Sequence, residues 1–214
     1  MLEAVPEDWR RFDELELAPT LTGAMAAFHE QGYHATSVRD VANRVGLTVP
    51  ALYYHHGSKE GMLVELLTGS VQHLHARLCL AIDGAGADPA DQFANYIECV
   101  VLFMAYRREV ANLDTEIRAL SAVNRRAYAK VRKQIEEQLL GIVRAGAEAG
   151  IFHVDHPEDT VRALLGMVQA VATWYDPAGL LKPPQLAERY VEIASQTVGA
   201  SAAVARTPRR RAKS

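Results

Sequence analysis

Seven residues between positions 48 and 59 (Thr48, Val49, Pro50, Tyr53, Tyr54, His55 and Lys59) form an unusual set for a free surface. Their hydroxyls and amides can hydrogen-bond phosphate oxygens, their small apolar groups can meet a thymine methyl, and the lysine places charge at the next helix start. This is the chemistry of a helix lying in the major groove of duplex DNA. Thr36 and Arg39, at the start of the preceding helix, are counted with them as expected DNA contacts.

Such a surface needs two short helices and a tight corner. Ser37 can cap a helix whose third residue is Asp40, and Gly46 can take the left-handed conformation that ends it, which predicts a helix over 38–45. If Thr48 caps the next helix, over about 49–55, Leu47 and Leu52 occupy the positions of a hydrophobic staple and Pro50 falls in the first turn. Neither helix is long enough to be stable alone, so Val38, Val41, Ala42, Val45, Leu47 and Leu52 are expected to share a small core.

The run TSVRDVANRVGLTVPALYYHHGSKEGML, with AAFHEQGYHATS before it, resembles the DNA-binding signature of the TetR family of one-component transcriptional regulators. Family members usually carry Phe where this chain has His56. The resemblance implies a repressor that binds a palindromic operator as a dimer and responds to a small molecule held in a helical C-terminal domain.

Composition is ordinary for a globular protein of this length: 214 residues, 49% hydrophobic and 23% charged. No run of eighteen apolar residues occurs, and the N-terminus is acidic and amphipathic, so neither a membrane span nor a signal peptide is expected and the location should be cytoplasmic. The formal charge of −3 is not that of a basic nucleic-acid binder. Residues 32–59 are mildly positive, with Arg39, Arg44 and Lys59 against Asp40. A single copy would bind duplex weakly, and two copies are needed for useful affinity. Cys79 and Cys99, with no C-x-x-C pattern, read as reduced thiols.

Taken in order, residues 1–16 carry six acidic side chains and read as a disordered or frayed, dispensable leader. Pro19 can start a helix that runs through Phe28 and stops at Gly32. From Ser58 the series Met62, Leu63, Leu66, Leu67, Val71, Leu74, Leu78 and Ile82 keeps helical period until residues 84–89 break it. Further helices are predicted over 93–106, 113–120, 124–149, 161–175 and 185–198. The expected fold is all-α, with nine or so helices: a three-helix DNA-binding domain (17–64), joined by one long helix to a helical ligand-binding and dimerisation domain (65–204). Residues 205–214 form a basic, disordered tail.

In the body, Arg125, Tyr128 and Arg132 share one helix face, which suits an anionic ligand portion as well as plain solvation. The sequence over 113–152 resembles, more loosely, TetR-family regulators of fatty-acid or acyl-CoA breakdown, which implies an acyl-CoA or fatty-acid-like effector. Phe103, Met104, Met167 and Trp174 are the expected apolar lining, drawn from a wider set that includes Phe93, Tyr96 and Tyr106. Small residues (Ala163, Gly166, Ala170, Ala172, Ala194, Ser195) on the last two helices suit a two-fold four-helix interface. Trp174 and Tyr175 should lie near its seam. A metal-sensor alternative rests on His75 and Cys79, four residues apart, with His73 and Cys99 as further ligands. No catalytic motif is present, and neither a cofactor nor a catalytic residue is expected. An adaptor that never touches DNA is the alternative from another class.

Overall fold

The computed structural model describes residues 6–200. Within them the chain forms ten α-helices and one 3-10 helix: α1 (Pro19–Gln31), α2 (Val38–Val45), α3 (Val49–His56), α4 (Lys59–Asp83), α5 (Pro89–Tyr106), α6 (Arg108–Asn112), the 3-10 helix (Leu113–Ala119), α7 (Ala122–Glu148), α8 (Pro157–Gln169), α9 (Val171–Trp174) and α10 (Pro183–Thr197). No strand occurs among the described residues, and no helix there is long and apolar enough to cross a membrane.

The punctuation read from the sequence sets the N-terminal helices. Ser37 accepts from the Asp40 amide while the Asp40 carboxylate accepts from the Ser37 amide at 2.7 Å, a complete capping box. The Ser37 hydroxyl, followed by its backbone amide, holds the Asp40 carboxyl below its ordinary range. Gly46, at φ 69° and ψ 28°, ends α2 in the left-handed region, where a Cβ would be strained. Thr48 accepts from the Ala51 amide at 3.3 Å to cap α3, and Ser58 caps α4 through the Gly61 amide at 2.9 Å.

Helices α1 to α3 close over Leu21, Ala24, Phe28, Val41, Ala42 and Leu52, all buried. Leu47, expected in the same core, is not buried with them: it stays 42% exposed. Arg44 ties α2 to α1 through an ion pair with Glu30. Gly23 allows the closest approach, since a Cβ there would collide with Val45 Cγ1. Gly23→Ala is therefore expected to destabilise the head by about 1–3 kcal/mol as α1 and α2 are forced apart. Chemical denaturation of the purified variant would read this loss.

The body is organised around α5, which packs against α4, α7, α8, α9 and α10. Its residues 96–105 are buried in unbroken succession, the expected fate of a helix that is apolar all round. The one carboxylate in that run, Glu98, accepts from Arg10 Nε at 3.0 Å and from an Arg10 terminal nitrogen at 2.9 Å. Two predicted helices are subdivided. The 113–120 segment is 3-10, preceded by the short α6. The 161–175 segment breaks at Ala170, whose carbonyl accepts both the amide (3.0 Å) and the hydroxyl (2.7 Å) of Thr173 in a tight turn.

The leader reading is overturned for its described part. Residues 8–13 form a non-helical strap on the body: Trp9 is buried, Phe12 stacks on Tyr106 at 4.8 Å, and Arg107 donates to the Asp13 carbonyl at 2.9 Å. The fully buried Arg77 of α4 donates to the carbonyls of Trp9 (2.7 Å) and Arg11 (2.8 Å). Acidic composition concealed this, because backbone carbonyls and two aromatic rings, not the carboxylates, make the attachment. The basic tail at 205–214 lies outside the described residues.

Candidate DNA-reading head and effector cavity

The outer face of α3 presents Tyr54 at 87% exposure and Tyr53 at 50%, with Thr48, Pro50 and His55 also exposed and Val49 half-buried. The described chain leaves Tyr54 almost uncovered and Tyr53 half covered, so both present surface to a partner. Arg39 is exposed at the start of α2.

Two of the expected contacts are committed inward. Thr36 is 2% exposed and its hydroxyl donates to the carbonyls of Gly32 (2.8 Å) and Ala27 (3.1 Å), so it locks the α1–α2 turn and cannot reach a groove. Lys59 directs its ammonium to the carbonyls of Tyr33 and Thr36, both at 2.8 Å, and to that of His34 at 3.4 Å, over the Tyr33 ring at 4.3 Å. Its three donors are spent on the head itself. Both residues end up as internal fasteners because the α1–α2 turn exposes carbonyls that no helix can satisfy.

His56, where Phe is usual, is a fastener of another kind. Its side chain is 6% exposed, with Nδ1 2.8 Å from Glu65 Oε1 on α4 and Nε2 2.8 Å from Thr20 Oγ1 on α1. Two hydrogen bonds thus anchor the end of α3 where an apolar ring would only fill space, and the face carrying the tyrosines is left unchanged.

The head is joined to the body through the first turn of α4. Glu60 Oε1 accepts from the Ser121 amide at 2.6 Å and from Asn124 Nδ2 at 2.8 Å, at the cap and first turn of α7. The Ser121 amide, then Asn124, holds the Glu60 carboxyl below the usual carboxylate range, so it stays ionised at neutral pH. Sequence reading missed this link, since residues 60 and 121 share no period or motif.

Further along α4 and α7 lies a cavity of about 670 Å³. Val71 and Leu74 of α4, Phe103 and Met104 of α5, Ile135 of α7 and Leu165 of α8 supply its apolar wall. The polar wall is a small network. Tyr128 donates to Asp114 Oδ1 at 2.7 Å, Arg132 donates to Asp114 Oδ2 at 2.6 Å, and a second Arg132 nitrogen donates to Gln169 Oε1 at 2.9 Å. Burial, then the charge of Asp114, pushes the Tyr128 hydroxyl well up, so it remains a donor at any physiological pH.

Of the expected ligand residues, Phe103, Met104, Tyr128 and Arg132 therefore line one cavity, and three do not. Arg125 is exposed one turn before Tyr128 and is not part of the lining. Met167 is half-buried away from the lining. Trp174 is 51% exposed and stacks on Tyr190 at 6.4 Å between centroids. The wider aromatic set is spent elsewhere: Phe93 on Phe152, Tyr96 on the Ile135 carbonyl at 2.7 Å, and Tyr106 on Phe12. Asp114 and Gln169 were missed because isolated polar residues carry no signal until folding brings them to Arg132.

Ala163, Gly166, Ala170 and Trp174 are exposed on α8–α9 with Met167 half-buried among them, nothing lies within 4 Å of a Cβ built on Gly166, and Ile193 of α10 is 45% exposed. Ala172, Ala194 and Ser195, expected in the same interface, are buried inside the protomer. The metal alternative has no geometry behind it. Among the described residues no three His, Cys, Asp or Glu side chains converge, Cys99 is fully buried, and His73 accepts from Arg77 Nε at 2.7 Å.

Comparison with known proteins agrees with both halves. Residues 21–66 match the family of bacterial regulatory proteins of the tetR family, and residues 86–198 match a tetracyclin repressor-like C-terminal domain. The chain is 32% identical over 193 residues to the HTH-type transcriptional repressor KstR2 of Mycobacterium tuberculosis, covering 86% of this chain and 90% of that one. The solved structure of KstR2 from the same organism, described as a ketosteroid transcriptional regulator, superposes with a TM-score of 0.76 at 27% identity, over 84% of this chain and 92% of that one. PfmR, a TetR family transcriptional regulator from Thermus thermophilus, superposes with a TM-score of 0.74 at 32% identity, over 83% and 97%. With a helix-turn-helix whose tyrosines face outward and a helical body matched over its length, the chain belongs to the TetR family of transcriptional repressors.

Proposed function

We propose that this repressor pairs through the exposed faces of α8–α9 and α10 and reads a palindromic operator with two copies of α3. The groove contacts are Thr48, Val49, Pro50, Tyr53, Tyr54 and His55, with Arg39 beside them. An acyl thioester or related fatty-acid-like effector enters the cavity and lowers operator affinity. One observation carries this reading: α4 both packs on α1 and α3 of the reading head and, through Ser70, Val71 and Leu74, walls the cavity. A ligand wedged against that wall acts on a continuous helix whose other end holds the head through Lys59, with Glu60 beside it tied to the start of α7.

The lining fits the effector class. Apolar side chains take a hydrocarbon, Arg132 keeps N–H donors beyond the two it gives to Asp114 and Gln169 that can reach a carbonyl oxygen, and the exposed Lys133 at the rim suits an anionic remainder. The ligand must bind the spread form more tightly than the DNA-competent one, and a coupling of ~1–3 kcal/mol gives roughly 5- to 150-fold release. The ketosteroid description of KstR2 favours a ring-bearing acyl group as a second reading within the same class.

The test is a titration of acyl-CoA thioesters, linear ones of increasing length and one bearing a steroid ring, against the full-length protein on duplex from the promoter beside its own gene, read by fluorescence anisotropy. Release by at least one series is expected, and Arg132→Ala should raise the concentration required by about tenfold, the equivalent of one lost charge-assisted hydrogen bond. Failure of every thioester to release the duplex would end the effector assignment. A species that stays single in sedimentation at working concentration would end the dimer.

A further inference from the structure

The reading head is short of charge for a duplex binder. Of its three basic side chains in residues 32–59, Arg44 is paired with Glu30 and Lys59 is spent on carbonyls, which leaves Arg39 as the one cationic group without an internal partner among the described residues of that span. Phosphate neutralisation supplies most non-specific affinity and much of specific affinity, so cationic groups elsewhere must contribute.

Residues 117–135 carry six basic side chains and no acidic one. Arg132 is held by Asp114 and Gln169, Lys133 by Glu137, and Lys130 is exposed further along α7, while Arg118, Arg125 and Arg126 are exposed and make no ion pair among the described residues. These three flank the residues that Glu60 holds against the head: Arg118 lies three positions before Ser121, and Arg125 and Arg126 directly follow Asn124. Glu60 itself sits in the first turn of α4, six residues after the exposed Tyr54. The arginines thus lie on the part of the body that Glu60 ties to the head. A duplex presents one negative charge per ~1.7 Å of its axis, so backbone extends past whatever α3 touches.

We propose that Arg118, Arg125 and Arg126 form a second DNA-contacting surface, which grips the phosphate backbone beside the stretch read by α3. The proposal rests on the DNA-reading assignment above and adds a sequence-independent grip to it. It also gives the exposed Arg125 a role that the effector cavity does not.

The test compares wild type with Arg125→Gln/Arg126→Gln, Arg144→Gln and Tyr54→Ala, measuring binding to operator and to an unrelated duplex across a salt series. Both arginines are exposed, so an unchanged far-UV circular dichroism spectrum is expected for the double variant. The slope of log affinity against log salt should fall by about 1 for each phosphate contact removed, or about 4 in a two-fold pair, with operator and unrelated duplex weakened together by about tenfold or more. Arg144→Gln removes a charge about 28 Å further along the same helix and should leave the slope unchanged. Tyr54→Ala should weaken operator binding while sparing the unrelated duplex. An unchanged slope in the double variant overturns the proposal, with the α3 assignment still standing on Tyr54→Ala. Equal slope changes per charge in the double variant and Arg144→Gln mean a net-charge effect and also overturn it. An unchanged slope with lost release by an acyl-CoA assigns the arginines to the effector instead. Absence of any duplex binding by wild type removes the DNA-reading assignment itself.

Discussion

Replacing Arg77 with alanine is expected to lower folding stability by about 3–5 kcal/mol, the loss found when one partner of a buried charged network is removed. The guanidinium is fully buried and joins α4 to the N-terminal strap. It donates to the carbonyls of Trp9 and Arg11 and to Nε2 of His73, and it lies over the Phe12 ring at 4.0 Å. Without it two strap carbonyls lose their donor, each a loss of about 1–3 kcal/mol if it stays dry, and the Phe12 ring loses its cation. In a chain of this size the midpoint of thermal unfolding should fall by about 6–20 °C. Arg77→Lys should recover little of this, because a single ammonium cannot reproduce the planar fork that reaches both carbonyls and the imidazole. A loss below about 1 kcal/mol would show that the strap is held by its other contacts, the aromatic rings with the Arg107 and Arg10 bonds, and not by Arg77.

Tyr54→Ala is expected to weaken operator binding by about 30- to 1,000-fold, from roughly 1–2 kcal/mol in each of two half-sites. At 87% exposure the ring has little packing to forfeit beyond an edge contact with His55 at 5.4 Å, so helicity and unfolding midpoint should stay close to wild-type values. That separation identifies a side chain acting on a partner and not on its own fold. Operator affinity unchanged in an anisotropy titration would remove Tyr54 from the groove contacts and leave Tyr53 and His55 to carry α3.

The helix-turn-helix was legible in advance because local chemistry dictates it. A capping box at Ser37, a left-handed glycine at 46, an N-cap at Thr48 and another at Ser58 each act within four residues, and their outcome does not depend on what packs later. A helix over 93–106 was legible from its period as well, but its place at the centre, with residues 96–105 buried in succession, emerged only from packing. Arg125, Tyr128 and Arg132 illustrate the boundary. Their spacing put them on one helix face, yet only Tyr128 and Arg132 reach Asp114 and Gln169 across the cavity, and Arg125 is left to solvent.

By itself, then, the order of residues determined most of the helices, the corner between α2 and α3, and the outward tyrosines, since hydrogen bonds between near neighbours and the 3.6-residue period are properties of short segments. Tertiary structure alone decided that Thr36 and Lys59 serve the head's own carbonyls, that the acidic leader becomes a strap under Arg77, that His56 bridges Thr20 and Glu65, and that Glu60 holds the start of α7. Each of these joins groups distant in the chain through a buried or half-buried polar atom that must find a partner somewhere. Which partner it finds depends on how the helices stack, and no local pattern records that.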